Sequence, residues 1–247
     1  MGKRLKQQRR GSNERYLSPK KGKTNLSYRV NDDVEKTARL RGKIVEFVDD
    51  PVRDALLMRI KFDNQEEHLY LAPEHISLGD YIEEGAQASL TRGSVLPLYR
   101  LPEGAYVFNV ERNPGDGGSL VKTPGSYAVV SAKEGSKVYI KLPSKKTLIL
   151  SNECRAQLGV VSGGGRLEKP LYKAGNSFYK MRAKHRLWPT LRGVHMAPYN
   201  HPHGGKQHHV GKPTTVARGT PPGGKVGHIA ARSTGRRKAK KTGETQS

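Results

Sequence analysis

Short apolar runs separated by turn residues dominate the middle of the chain, and this pattern predicts β-strands. From Leu40 onward the runs fall at 44–48, 56–62, 69–72, 88–90 and 106–110. In the second run Met58, Ile60 and Phe62 alternate with Arg59 and Lys61, which is the period of a half-buried strand. Five short strands within about seventy residues, without a convincing amphipathic helix, predict an OB-like barrel over residues 37–112.

A second series of apolar runs follows the turn-rich break at 113–118, which reads NPGDGG. These runs lie at 127–131, 138–142, 147–150 and 155–161. They predict a second small all-β unit, an SH3-like barrel over residues 113–165. The glycines at 163–165 predict a hinge after it.

Both ends of the chain lack strand or helix periodicity. Residues 1–36 and 166–247 are rich in Lys, Arg, Gly and Pro, and a short helix around 177–185 is the element that their pattern allows. Such segments bury too little apolar surface to repay the entropy of ordering themselves. The fold class is therefore mainly β, with an OB-like barrel followed by an SH3-like barrel and long basic non-globular extensions at both ends.

Charge is segregated in the same way as the apolar pattern. The formal net charge is +23, yet residues 31–162 carry seventeen Lys/Arg against nineteen Asp/Glu. Residues 1–30 carry ten Lys/Arg against Glu14 alone, and residues 163–241 carry eighteen against Glu168 alone. One basic run is often only a solvated tail. Two basic arms around a neutral body instead favour a polyanionic partner, and RNA is the obvious candidate.

The single Cys154 excludes an intrachain disulfide and a cysteine zinc cluster. We interpret it as a buried structural thiol, since nothing in the sequence indicates a lowered thiol pKa. The first thirty residues contain no apolar run typical of a secretory signal, and eighteen apolar residues never occur in succession. These features predict a soluble protein of the cytoplasm that binds no membrane.

The segment 192–237 has almost no large apolar side chains and no Asp or Glu. Its glycines allow close approach of the backbone to a ligand, its prolines limit the entropy lost on ordering, and its cations can neutralise phosphates. The predicted phosphate-neutralising residues are Arg192, Lys206, Lys212, Arg218, Lys225, Arg232, Arg236 and Arg237.

Histidines within this segment allow three interpretations. His201, His203, His208 and His209 lie within nine residues, and imidazole is a common metal ligand. A metal-dependent RNA-processing hydrolase built on residues 201–209 is the alternative function, but hydrolytic metal sites generally also use carboxylates. Stacking on bases or donation to phosphate, which we predict for His201, His203 and His208, fits the composition better. Inert, solvated histidines are the third interpretation.

The run 219–225, GTPPGGK, matches the spacing of a phosphate-binding loop. Val226 stands where that loop needs a Ser or Thr hydroxyl to hold magnesium. Pro221 and Pro222 also remove two backbone N–H donors. We therefore predict no nucleotide site, no metal site and no cofactor.

Several separated motifs, in order, resemble the universal L-two family of large-subunit ribosomal proteins, and they indicate its archaeal and eukaryotic branch. The motifs are GGSLV at 117–121, CRAQLG at 154–159, RGV at 192–194, HPHGG at 201–205, GKP at 211–213, GGKVG at 223–227 and AARSTGRR at 230–237. The similarity extends from about Leu40 to about Arg237. One departure lies before the histidine, where the family usually has Met-Asn-Pro-Val-Asp and this chain has MAPYN at 196–200.

The resemblance implies a structural constituent of the large subunit that binds rRNA and has no enzymatic activity. It also implies a role in subunit association, in tRNA binding and in the architecture around the peptidyl transferase centre. The expected partners are large-subunit rRNA, other ribosomal proteins and the small subunit, but not DNA. Arg53 and Arg155 look like RNA-contacting arginines of the family, and His201 occupies the position of its histidine linked to peptidyl transfer. Because rRNA performs that chemistry, we interpret His201 as a positioning residue, while Tyr199 could stack on a base.

Overall fold

The computed structural model describes residues 24–30, 32, 36–166, 168–206 and 208–232. The chain divides into a larger compact unit spanning residues 19–174 and a smaller one that includes residues 175–232. Among the described residues, no helix has the length and apolar character needed to cross a membrane. The predicted mainly β fold class is confirmed.

The first barrel consists of antiparallel strand pairs β1–β2, β2–β3 and β1–β4. Its strands are β1 Leu40–Val48, β2 Leu57–Phe62, β3 Glu67–Leu71 and β4 Tyr81–Glu84. The predicted alternation in β2 is confirmed, because Met58, Ile60 and Phe62 lie in the core. Gly42 permits the close contact of β1 with β2, since a Cβ there would overlap Ile60 and Phe62.

The second barrel is built from six further strands around its own core. They are β5 Val95–Pro97, β6 Tyr106–Phe108, β7 Ala128–Glu134, β8 Lys137–Lys141, β9 Thr147–Ser151 and β10 Arg155–Leu158. Leu96, Val107, Val130, Ile140 and Ala156 meet in this core. Strand β10 lies between β5 and β6, while β5 also pairs with β4 in parallel. All ten strands consequently belong to one continuous sheet.

Two details of the strand prediction differ from the structure. Residues 88–90 form no strand; Ala88 donates its N–H to the Gly85 carbonyl in a turn, which has positive φ at Gly85. Tyr81–Glu84 supplies strand β4 instead. The strand predicted at 106–110 ends at Phe108, because Asn109 adopts a φ of 49° and turns the backbone away.

Residues 24–30, here called the strap, run along the larger unit without regular secondary structure. Leu26 packs with Leu57 and Phe108, while Tyr28 lies in the core of the first barrel. The Tyr28 hydroxyl donates to the Asn109 carbonyl at 2.5 Å, and its backbone N–H donates to the Gly117 carbonyl at 3.1 Å. The strap therefore packs against the first barrel and bonds to residues that follow β6, although it lies within the predicted non-globular arm at 1–36.

Helix α1, Ala174–Ala183, overlaps the helix that the pattern allows around 177–185 and buries none of its side chains. The smaller unit contains a short 3-10 turn at Gly193–His195 and the parallel two-residue strands β11 Thr215–Val216 and β12 His228–Ile229. Turns and bends make up most of the segments between them.

Candidate nucleic-acid interface

Arg53 is fixed by the acidic turn that follows β1. Its guanidinium forms an ion pair with Asp50 and donates to the Thr24 carbonyl at 3.0 Å. Burial alone would raise the pKa of Asp50, but hydrogen bonds from Val52 and Thr24 and the Arg53 charge lower it below its usual value. The ion pair therefore stays charged at neutral pH. The Arg53 side chain keeps 23% of its surface exposed, so one face of the guanidinium can still reach a ligand.

Lys122 is a functional candidate that the sequence reasoning missed. It is half-buried, and within the described part of the chain its ammonium has no hydrogen bond or ion pair. Burial, followed by the repulsive charge of Arg53, lowers its pKa. The motif at 117–121 ends one residue before Lys122, so its position next to that motif was the available signal. Lys122 and Arg53, named here the barrel cation pair, would both be stabilised by an anion.

Arg155 is placed inside the protein. Its side chain is 5% exposed, and its guanidinium lies 3.0 Å from Glu111 and 3.4 Å from Glu84, measured between charged atoms. It also donates to the carbonyl of Arg29 in the strap at 2.9 Å. Direct RNA contact by Arg155 stays a prediction, and this geometry favours a structural role instead.

In the smaller unit the HPHGG motif forms a tight local structure around His201. A Cβ on Gly193 would overlap the His201 ring, so glycine allows the 3-10 turn to pack against it. Backbone N–H of His203 donates to His201 Nδ1 at 3.0 Å. The neutral His201 ring therefore carries its proton on Nε2. Gly204 and Gly205 complete the turn, because a Cβ on either would overlap the backbone or ring of residues 196–198.

His203 anchors this turn to the rest of the loop. It is 8% exposed, and burial together with the nearby charge of Lys212 lowers its pKa. Its ring also approaches Gly227, the residue before β12. His203 is therefore neutral at physiological pH and has an internal packing role, whereas its predicted RNA contact is untested.

The other predicted contacts of the smaller unit are mostly on the surface. Exposed residues are Arg192, Lys206, His208, Lys212, Arg218 and Arg232, while His201 and Lys225 are half-buried. Arg236 and Arg237 lie outside the described residues. The sequence has no Asp or Glu from Lys169 to Gly243, so no carboxylate of this segment can neutralise its cations.

The hydrolase hypothesis finds no support in the described residues. They contain no group of three His, Cys, Asp or Glu side chains placed to hold a metal ion. The rings of His201 and His203 meet edge to face with centroids 4.9 Å apart, as do those of His195 and His208 at 5.0 Å. In the 219–225 run, Gly224 and Lys225 both donate their N–H groups to the Pro221 carbonyl at 3.0 Å, so these donors are already used internally.

Comparison with known proteins gives matches over nearly the whole chain. Residues 2–84 match the family model described as "Ribosomal Proteins L2, RNA binding N-terminal domain", and residues 91–227 match "Ribosomal Proteins L2, C-terminal domain". These two models fit the OB-like barrel and the SH3-like barrel in that order.

Similar curated proteins are archaeal and carry the name "Large ribosomal subunit protein uL2". The Methanopyrus kandleri protein is 47% identical over 96% of this chain and 98% of its own length. The Methanococcus vannielii and Methanocaldococcus jannaschii proteins are each 48% identical over 96% of this chain and their full length.

Proposed function

Because this chain belongs to the ribosomal protein L2 family, it is a structural constituent of the large ribosomal subunit that binds rRNA, and we propose that it does so through two separate cationic surfaces. One is the barrel cation pair, Arg53 and Lys122. The other is the set of exposed cations between Arg192 and Arg232. The observation that carries this proposal is the absence of any carboxylate from Lys169 to Gly243, alongside a nearly neutral barrel region. The chain is not an enzyme, so its residues position RNA.

The barrel cation pair is suited to a phosphate group. Two positive charges close enough to lower the pKa of Lys122 repel each other in the free protein. A phosphate bound between them would remove that repulsion and release condensed counterions. Asp50 and the strap hold Arg53 in place, which limits the side-chain entropy lost on binding.

The loop around His201 is suited to closer contact with nucleotides. Its glycines bring the backbone near a ligand, and Nε2–H of His201 is a donor suited to phosphate or base acceptors. Tyr199, which is 50% exposed, offers a ring for stacking. These features support a role in the architecture around the peptidyl transferase centre and in tRNA binding. The proposal also includes subunit association with the small subunit, beside other ribosomal proteins, on the ground of family membership.

The barrel cation pair can be tested with Arg53→Gln, Lys122→Gln and the double variant. Binding of the full chain to a large-subunit rRNA fragment would be measured by filter binding over a salt series. If each cation meets a phosphate, each substitution weakens binding and lowers the slope of log K against log salt by about 0.7–0.9. Lys61→Gln is the matched control, since Lys61 is an exposed lysine on β2 outside both surfaces. Equal slopes for the double variant and the control would contradict the assignment.

A further inference from the structure

A cavity of about 390 Å³ opens beside the first barrel, within the larger unit. Apolar side chains of Phe47, Leu56, Pro73 and Ile76 line one part of it, and Glu74 and His75 line another. This volume lies in the range of sites that bind small molecules, and apolar walls with few polar groups are typical of them. The cavity is separate from the barrel cation pair, neither of whose residues lines it.

The polar part of the cavity wall includes the Glu74 carboxylate, which lies close to the backbone of Gly164. A Cβ on Gly164 would lie 2.6 Å from Glu74 Oε1, so glycine is needed for Glu74 to occupy this position. Within the described residues, the Glu74 carboxylate makes no hydrogen bond or ion pair. The backbone here is held firmly, since Glu74 N–H donates to the Val160 carbonyl and Ser162 N–H to the Ala72 carbonyl, both at 2.9 Å. The backbone of Glu74 is therefore held in place, and its carboxylate is an acceptor that lines an apolar-walled space.

Arg166 follows the lining residue Gly164 by two positions and has a donor with no acceptor in the part of the chain that the structure describes. Arg166 pairs with Asp54, yet its Nε is buried without a hydrogen-bond partner among the described residues. Asp54 is close to the cavity, because its carbonyl oxygen lies 3.1 Å from the position of a Cβ on Gly163. Orphaned buried donors are rare and need an explanation such as a missing ligand. The Arg166 side chain keeps 29% of its surface exposed, so the accessible part of its guanidinium can pair with an anionic group bound at the rim.

We propose that this cavity binds an unpaired guanosine nucleotide of rRNA, an inference that rests on the proposed rRNA-binding function. Apolar side chains can cover the faces of a flat base, and unstacked bases are what proteins read in single-stranded RNA. Guanine presents two adjacent donors, N1–H and N2–H, on its Watson–Crick edge, and these match the two oxygens of Glu74. The corresponding edges of adenine, uracil and cytosine place at least one acceptor against the carboxylate. Arg166 would take the phosphate of the same nucleotide.

NMR titration of the ¹⁵N-labelled full chain with guanosine 5′-monophosphate and adenosine 5′-monophosphate tests this directly. The basic segments bind the phosphate of both nucleotides equally, so the base-specific signal is the difference between the two titrations. We expect saturable shifts of the His75, Gly163 and Gly164 amides, with the guanosine nucleotide bound about tenfold more tightly. Glu74→Gln and Gly164→Ala should abolish that preference, whereas Glu153→Gln, a change at an exposed glutamate elsewhere, should retain it.

Equal affinity for both nucleotides at these amides would overturn the proposal, and so would an unchanged preference in Glu74→Gln. Shifts at the same amides with N-acetyl-arginine methylamide but with neither nucleotide would also overturn it, and would assign the cavity to a cationic protein side chain. Binding of the same samples to the rRNA fragment distinguishes failure of the cavity proposal from failure of the proposed function. A chain that binds the fragment without guanosine preference refutes only the cavity proposal, whereas a chain that binds no fragment refutes the proposed function.

Discussion

The buried group formed by Arg155, Glu84 and Glu111 combines one positive and two negative side chains in the interior. Buried charges of this kind persist only when they are paired and hydrogen-bonded. Glu111 accepts backbone N–H groups from Gly117 at 3.0 Å and from Arg155 itself at 2.8 Å. Glu84 accepts the Tyr70 hydroxyl at 2.6 Å. The Arg155 guanidinium thus joins β4, β10 and the residues after β6, and its loss would remove the cation that pairs with Glu84 and Glu111.

Replacing Arg155 with Ala should lower the free energy of unfolding by about 3–5 kcal/mol, the cost of breaking a buried ion pair. Urea unfolding of the full chain, followed by near-ultraviolet circular dichroism, measures this. Arg59→Ala is the control, because Arg59 forms an ion pair with Glu46 in which both side chains are over 40% exposed. That pair is worth only about 0–1 kcal/mol. Equal stability of the two variants, together with weaker rRNA binding by Arg155→Ala, would instead support the RNA contact implied by the family resemblance.

Cys154 illustrates a sequence prediction that the structure confirms, since the thiol is fully buried. Burial, and then the charge of Glu111, raises its pKa to about 11. At pH 9 about one native thiol in a hundred is ionised, against about three quarters in the unfolded chain.

Native protein should therefore react with a thiol-specific disulfide reagent far more slowly than urea-unfolded protein at pH 9. Because the raised pKa favours the neutral thiol of the folded state, its contribution to stability is complete below pH 9 and is lost as the pH rises towards 11. The absorbance of the thiolate that the reagent releases measures the reaction rate of Cys154 in native and in unfolded protein. Comparable rates for native and unfolded protein would show that the thiol is accessible and would contradict its burial.

At the scale of elements, the strap behaves as a part of the barrels. Leu26 and Tyr28 are 8% and 4% exposed, and Arg29 pairs with Glu66 and Asp32. Thr24 donates its hydroxyl to Asp50 at 2.8 Å, beside Arg53. The larger unit therefore includes residues that the sequence pattern assigned to a non-globular arm.

Two truncations separate the strap from the residues before it. Removal of residues 1–30 exposes the pockets that Leu26 and Tyr28 fill, and each such side chain contributes about 1.5–3 kcal/mol when fully buried. We expect a clearly lower thermal midpoint for that variant than for removal of residues 1–23, which keeps the strap. Differential scanning calorimetry of both variants and the full chain measures the difference. Identical midpoints for both truncations would contradict a structural role for the strap.

Local pattern was a good guide to strands and a poor guide to their partners. Strand β2 was predictable because Met58, Ile60 and Phe62 alternate with polar residues on a half-buried sheet. The insertion of β10 between β5 and β6 was not predictable, because that pairing joins residues about fifty to sixty positions apart and leaves no local signature. This pairing brings Leu96 and Val107 into the second core, while the division of the chain at residues 36, 112 and 165 stays a prediction.

The candidate RNA-binding site was likewise predictable only in part from the sequence. Composition and charge predicted RNA as the partner, because these properties are summed over whole segments. Lys122 was missed, because its proximity to Arg53 exists only in the folded chain. The burial of His203 and Arg155 was also invisible to the sequence, in which both residues appear as ordinary polar positions.

Across the full chain, folding and RNA binding depend on different segments, because the positive charge is concentrated outside the barrels. The barrel region between residues 31 and 162 is nearly neutral and supplies the cores, whereas the whole net positive charge comes from the basic ends. A chain with this distribution binds rRNA mainly through phosphates, and its affinity depends on how many it neutralises.

The most direct test of this account is the affinity of the full chain for a large-subunit rRNA fragment as a function of salt. With roughly 6–10 phosphate contacts, the binding constant should fall by about 10³–10⁵ between 50 and 200 mM monovalent salt. Log K should decline linearly with log salt over that range. A binding constant that stays flat across it would contradict the claim that these cationic surfaces hold the protein on RNA.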